Sequence, residues 1–265
     1  MKLFLEVCFR NLYFFFKQKE TRNFYKLLFL YGDKKRYEAL DLKVSGFKIN
    51  IPDALSFIWQ YKEIFVDQSY KFNPTNSSPV IIDCGSNIGL SALYYHQQYP
   101  KAKVYCIEAD ATIANYLKQN LSANNCNAEV IAKAAWIHND GVSFSSEGSD
   151  SGSVGDGNAS IPSMDLNEFL SQFSEIDFLK IDIEGAENTV ILHCAEALKK
   201  VNTLFLEYHG SYSESQKLDE LLSILKNAGF HYYIKTENKR KAPFVNLHKE
   251  RMYDLQLNIY AYRIK

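Results

Sequence analysis

Pro79-Val80-Ile81-Ile82-Asp83-Cys84-Gly85-Ser86-Asn87-Ile88-Gly89 carries an apolar, β-rich run into an acid and then into a short segment with a glycine at each end. Gly85 and Gly89 remove two Cβ atoms from a turn that must fold back closely, and Ile88 opens a helical pattern that Pro100 stops. In a strand, glycine turn and helix N-terminus of this order, backbone amides and the positive end of the helix dipole face an anionic group.

Outward from that turn, short β-rich runs alternate with helical patterns. Val104 to Ile107 reads as a second strand, Ala111 to Ser122 as a helix and Ala128 to Trp136 as a third strand. Asn139 to Ser160, rich in Ser, Gly and Asp, reads as a mobile hairpin or loop. A helix over Met164 to Phe173, with Ser163 as its N-cap, precedes the strand Asp177 to Asp182. Next come a helix from Ala186 to Leu198, the strand Asn202 to Tyr208, and a helix from Ser215 to Asn227 that ends at Gly229. The strands Phe230 to Ile234 and Leu255 to Ile264 close the chain. Seven strands in this order predict an α/β fold, a Rossmann-like doubly wound sheet whose ligand sits at the carboxyl ends of the strands where the winding reverses.

Glu108 ends the second strand, where a carboxylate can accept both hydroxyls of a ribose. A nicotinamide-binding fingerprint would need G-x-G-x-x-G, and Asn87 stands where a glycine would be. The turn therefore favours S-adenosylmethionine. Asp83, Cys84, Gly85, Ser86, Asn87 and Gly89 would lie at its methionine end, Glu108 and Ala109 at the ribose, and Ala135 or Trp136 near the adenine. A nicotinamide-dependent oxidoreductase using Glu108 is the competing enzyme reading, and a strand-to-helix turn without a ligand is the bland one.

Two further runs carry polar groups. Lys180-Ile181-Asp182-Ile183-Glu184-Gly185-Ala186-Glu187 places Asp182 and Glu184 at the end of the fourth strand, and Glu207-Tyr208-His209 ends the fifth. Strand alternation puts Glu207 and His209 on one side, and likewise Asp182 and Glu184, so the four can form a catalytic cluster above neighbouring strands. Such a cluster could orient a hydroxyl and accept its proton. His209 has the better ordinary pKa, but a desolvated carboxylate could be raised to the same range. The residues alone do not rank them. The same groups could bind a divalent cation, yet they lack the close spacing that identifies a metal site, and none is expected. Glu187 reads equally well as an acid favouring the start of the following helix. His96, His193 and His231 read as surface or packing residues, and Trp59 and Trp136 as core.

The 265 residues hold acids and bases in near balance, so no global field recruits nucleic acid. Locally, Lys2, Arg10, Lys17, Lys19, Arg22, Lys26, Lys34, Lys35 and Arg36 outnumber Glu6, Glu20 and Asp33, which makes the start of the chain a basic, aromatic arm. Charges interrupt its apolar clusters well short of the roughly 20 residues a spanning helix needs, and no small-residue cleavage site follows. The five cysteines are odd in number and read as free thiols of a cytoplasmic protein. Residues 1–50 are expected to form the arm and residues 51–265 the cofactor-binding domain. The arm could dock on anionic lipid, cover a dimer contact or, as the default, pack on the core. A catalytically silent scaffold that uses the arm to bind partners is a third functional reading.

The chain resembles the FkbM family of S-adenosylmethionine-dependent O-methyltransferases. The resemblance rests on Ile82 to Ser91, on Phe178 to Glu187 and on Phe205-Leu206-Glu207-Tyr208-His209, and it extends over roughly residues 51–264. It implies a class I methyltransferase fold and methylation of a hydroxyl, often on a sugar or a secondary metabolite. Similar members occur among genes for bacterial surface polysaccharides. It also implies that residues 51–72, with Glu63 and Tyr70, cover the cofactor pocket as a lid.

Overall fold

In the computed structural model, which describes residues 15–145, 153–154, 159–211, 215–237, 241–246, 253 and 255–264, the chain enters through a helical layer. Helix α1 spans Lys19–Tyr31, and strands β1 (Leu40–Val44) and β2 (Phe47–Ile51) pair as an antiparallel hairpin. Helix α2 (Ala54–Tyr61) then runs directly into a π-helical turn over Lys62–Val66. Asp53 starts α2, its carboxylate accepting the Ser56 N–H at 2.9 Å.

The doubly wound core follows. It comprises β3 (Val80–Cys84), α3 (Leu90–Gln98), β4 (Lys103–Ile107), α4 (Ala111–Ala123), β5 (Glu129–Ile131) and β6 (Ala134–Trp136). Short strands β7 (Val142–Ser145), β8 (Ser153–Val154), β9 (Ala159–Ile161) and β10 (Ser163–Asp165) precede α5 (Leu166–Ser171). The chain closes with β11 (Ile176–Ile181), α6 (Glu187–His193), β12 (Val201–Gly210), α7 (Leu218–Asn227), β13 (His231–Thr236) and β14 (Leu255–Tyr262).

The expected seven-stranded sheet is present, in the order β13-β14-β12-β11-β3-β4-β5. All pairs from β12 to β5 are parallel, and β14 is antiparallel to both its neighbours. Every residue of β11 is buried, as a strand covered on both faces requires. Phe57, Tyr61, Tyr95 and Leu117 fill one face together with Phe24 of α1 and Ile49 of the hairpin, while Leu170, Val190, Leu221 and Leu225 fill the other. Winding reverses between β3 and β11, whose last residues, Cys84 and Ile181, stand side by side. A crevice opens above them.

Several expected boundaries move. The third strand breaks at Ala132-Lys133, where the Lys133 N–H bonds back to the Ile131 carbonyl, so only β5 joins the main sheet and β6 pairs with β10 instead. That pairing takes Ser163 and Met164 out of the expected helix. Asp165 is the N-cap of α5, accepting from the Glu168 N–H, while the Ser163 hydroxyl donates to the His138 carbonyl. Helix α6 ends at His193, and a separate 3-10 turn covers Ala197–Lys200. Within Asn139 to Ser160, β7 pairs with β8 and β9 as a three-stranded antiparallel sheet; the remainder of that segment lies outside the described residues. Trp59 is not a core residue: it is 53% exposed on α2. Cys84, Cys106, Cys126 and Cys194 are buried free thiols, and Cys8 lies outside the described residues. Among the described residues no helix is long and apolar enough to cross a membrane.

Candidate active site

The glycine turn after β3 is tightly built. Gly85 has φ +79°, and a Cβ added there would lie 1.8 Å from the Asp182 carbonyl oxygen, so the ends of β3 and β11 touch through this residue. Gly89 has φ +86° and starts α3; a Cβ there would lie 2.5 Å from Leu117 Cδ1 of α4. The amides between them are turned inward. Gly85 and Ser86 donate to the Ile107 carbonyl, Ile88 to Asn87 Oδ1, and Gly89 to the Ser86 carbonyl. Asn87 donates its N–H to Glu108 Oε2 at 2.8 Å.

Beneath the turn, Asp83 is wholly buried. Its Oδ2 accepts from the Ser91 hydroxyl, and its Oδ1 lies 3.5 Å from Lys180 Nζ. Ser86, 2% exposed, spends its hydroxyl on the Asp83 carbonyl, and the Cys84 side chain belongs to the apolar cluster. Both residues therefore present backbone to the crevice. Lys180 holds the arrangement together. Its ammonium donates to the Gly85 carbonyl at 2.8 Å and lies 3.2 Å from Asp182 Oδ2. Burial alone would push this lysine down, but Asp182 and Asp83 outweigh it and raise its pKa, so it stays charged.

Glu108 stands at the carboxyl end of β4 with Ala109 beside it. Its two oxygens accept from the backbone N–H groups of Asn87 and Asp110. Burial raises its carboxyl to about 7, those two hydrogen bonds acting in the opposite direction. A carboxylate clamped in this way keeps further lone pairs for hydroxyl donors, as a ribose diol requires. Ala135 lies in β6, buried and paired with Met164.

The second constellation converges above β11 and β12. Glu207 and His209 alternate along β12 as expected. Asp182 and Glu184, however, lie beyond the last residue of β11, and Glu184 has φ +53°, so a left-handed turn rather than strand alternation aims them. Imidazole Nδ1 of His209 lies 3.1 Å from Glu187 Oε1, and Nε2 lies 3.5 Å from Glu184 and 3.6 Å from Glu207. Glu187 also accepts the N–H groups of Ile183 and Gly185, which fixes its carboxylate. Burial would push His209 down, but the hydrogen bond and charge of Glu187, with Glu184 and Glu207, carry it up to about 10. Those neighbours favour the protonated ring. Glu207 is raised well above the usual carboxylate range by burial and by Asp182, with His209 opposing.

Ligand atoms of Asp182, Glu207 and His209 lie within 4.8 Å of one another, close enough for a single cation to bridge.

Four further residues belong to the site. Glu63, on the π-helical turn, is raised to about 7 by burial and by the nearby Asp182 charge. Tyr70 packs edge-on against Phe205 and under Lys180, whose nitrogen lies 5.9 Å from the ring centre. The Tyr253 ring packs tilted against His209 with centroids 4.6 Å apart, and its hydroxyl donates to the Glu184 carbonyl. Asn258, opposite Glu207 on β14, donates to Glu237 at 2.9 Å. Lys180 itself was readable, as a lone cation inside an apolar run.

This donor set suits a ligand with hydroxyl donors and positive charge. It does not suit a pyrophosphate, because the crevice is lined by acids; the turn amides expected from the sequence to face an anion bond instead within the protein. A family model described as the methyltransferase FkbM domain matches residues 83–232, which include the turn, Glu108 and both acidic runs. The chain belongs to that family. Methyltransferases of this family use S-adenosylmethionine, and the FkbM turn at residues 83–89 with Glu108 is where this chain would hold it.

Among curated relatives, methyltransferase sdnD of Sordaria araneosa is 42% identical over 65 residues, 24% of this chain and 25% of that protein. The 2-O-methyltransferase NoeI of Sinorhizobium fredii is 27% identical over 154 residues, 49% of this chain and 63% of that protein. The FkbM chain thus spans less than two thirds of the length of either relative. A solved S-adenosylmethionine-dependent methyltransferase from Agrobacterium tumefaciens superposes with a TM-score of 0.53 at 14% identity, covering 88% of this chain and 72% of that one. That likeness concerns the fold.

Proposed function

We propose that the chain is an O-methyltransferase that acts on a hydroxyl, of a sugar in a surface glycan or of a secondary metabolite. The observation that carries this reading is the placement of Glu207 beside a His209 whose two nitrogens both face carboxylates, Nδ1 at 3.1 Å from Glu187 and Nε2 at 3.5 Å from Glu184 and 3.6 Å from Glu207. Glu207, desolvated and crowded by Asp182, is held above the usual carboxylate range and so binds a proton more strongly than an ordinary carboxylate. Glu207 accepts the proton of the acceptor hydroxyl, and Asp182 and Glu184 accept hydrogen bonds that orient neighbouring hydroxyls. Glu187 acts through His209 as a positioning residue. S-adenosylmethionine, when bound, supplies an electrophilic methyl group on a sulfonium, and the acid-rich crevice is complementary to that charge. The 2-O-methyltransferase relative supports oxygen as the acceptor atom.

Calorimetry with S-adenosylhomocysteine, together with transfer of labelled methyl to a panel of glycosides, tests the reading. Glu207→Gln is expected to keep cofactor binding and lose transfer by about a hundredfold or more. Full transfer by that variant would overturn the assignment of the base.

A further inference from the structure

Helix α1 is apolar on two sides. Thr21, Phe24 and Leu27 face the core, each 6% exposed. On the opposite side, Phe29 is 88%, Leu30 48% and Tyr25 39% exposed. At one residue per 100°, Tyr25, Phe29, Arg22, Lys26, Lys19 and Leu30 fall within a single arc of roughly 140°, so apolar and basic side chains share that face. Trp59 of α2 packs 5.9 Å from Phe24, on the core-facing side of α1, and is itself half exposed, while Phe16, just before α1, is 69% exposed. A helix that only packed on the core would carry a polar outer face.

We propose that this exposed face of α1 docks the protein on an anionic bilayer surface. Its positive charge selects that occupant. Lys17, Lys19, Arg22, Lys26, Lys34 and Lys35 lie on or beside the face and are exposed. Of the nearby acids, Glu20 is turned inward to Ser45, Tyr61 and Asn23, Glu38 lies against Lys35 and offsets it, and exposed Asp33 sits beside Lys34, so Lys19, Arg22 and Lys26 carry the net positive charge of the face. Aromatic and leucine side chains flanked by lysine and arginine match the boundary between acyl chains and negative headgroups, where the apolar parts sink in and the long basic stems reach phosphate. A second copy of the chain would bring the same basic set against itself.

Co-sedimentation of the full chain with phosphatidylcholine vesicles, with and without phosphatidylglycerol, tests the proposal. Binding is expected with the anionic vesicles and is expected to fall steeply with added salt. Phe29→Ser with Leu30→Ser should lower the bound fraction about tenfold, and Lys26→Glu should also weaken it, while S-adenosylhomocysteine affinity and circular dichroism stay unchanged. Equal, weak sedimentation with both vesicle types would overturn the proposal. So would light scattering that shows a wild-type dimer converted to monomer by the Phe29 and Leu30 substitutions, since the face would then be covered by a second copy. The cofactor titration is read separately, so a failure of docking leaves the methyl-transfer reading intact.

Discussion

Nδ1 of His209 lies 3.1 Å from a carboxylate oxygen of Glu187, and both side chains are almost wholly buried at the carboxyl end of the sheet. A buried imidazolium that loses its counter-charge is left as an uncompensated ion. Glu187→Gln is expected to lower stability by about 3 kcal/mol in urea titration and to reduce kcat about tenfold to a hundredfold, with the acceptor KM little changed. A merely structural role would lower stability without moving the pH profile. Here the basic limb should shift, because His209 then loses its proton at lower pH. The linkage sign agrees: a pKa raised to about 10 gives stability that is present below the unfolded value and fades as pH rises through 10.

Lys180 is the counter-charge for Asp83 and Asp182 and the donor to Gly85. Lys180→Met should cost about 3–5 kcal/mol of stability, since two buried carboxylates lose their partner, and it should weaken S-adenosylhomocysteine binding in calorimetry. Retention of both would mean that the turn is held by its backbone bonds alone.

Gly85 and Gly89 differ in what an added methyl would strike. Gly85→Ala meets backbone, the Asp182 carbonyl, and should abolish cofactor binding or folding. Gly89→Ala meets the end of the Leu117 side chain, which can move, and should retain measurable binding at reduced stability.

Asp53 gives a separate handle on the start of α2. Burial pushes its carboxyl up, but the N–H groups of Ser56 and Tyr37 and the Arg36 guanidinium outweigh this and hold it at about 2. A lowered pKa contributes stability above the unfolded value, lost as pH falls through about 4 toward 2, worth about 2 kcal/mol. Asp53→Ala should remove that acid dependence and the cap together, whereas Asp53→Asn should keep the cap and destabilise less, as read by thermal melts between neutral and acid pH.

Dialysis against EDTA should leave methyl transfer unchanged, with His209 positioned by Glu187 at Nδ1 and by Glu184 and Glu207 at Nε2. Loss of activity restored by a divalent cation would assign Asp182, Glu207 and His209 to a metal instead.

The parts of this fold that repeat with strand or helix period were legible. Val80 to Cys84, the buried run Phe178-Leu179-Lys180-Ile181 and the alternation of Glu207 with His209 read directly as sheet and site. Lys180 was readable too, because a single cation in a strand buried on both faces needs acids near it. Glu63 was named only through the family resemblance: the π-helical turn shifts the phase of the α2 pattern, so no helical period points Glu63 at Asp182. The convergence of Asp182 and Glu184 depends on a left-handed turn at a non-glycine residue, which composition does not announce. Ser163 misled because a serine before an apolar run serves equally as a cap or as a strand residue. The alternation of Leu42 and Val44 with Phe47, Ile49 and Ile51 around Ser45-Gly46 is a hairpin pattern, but a short one beside a basic arm.

The most direct test of the central claim follows tritium-labelled methyl from S-adenosylmethionine into a glycoside panel, with product structure by NMR, for wild type and Glu207→Gln across pH. A methyl ether on a hydroxyl oxygen is expected, with a rate that falls as pH drops through a value above the ordinary carboxylate range. In the variant that acidic limb should vanish along with about a hundredfold of rate, at unchanged S-adenosylhomocysteine affinity. A product methylated at nitrogen or carbon, or a variant that keeps the wild-type rate and profile, would contradict the account.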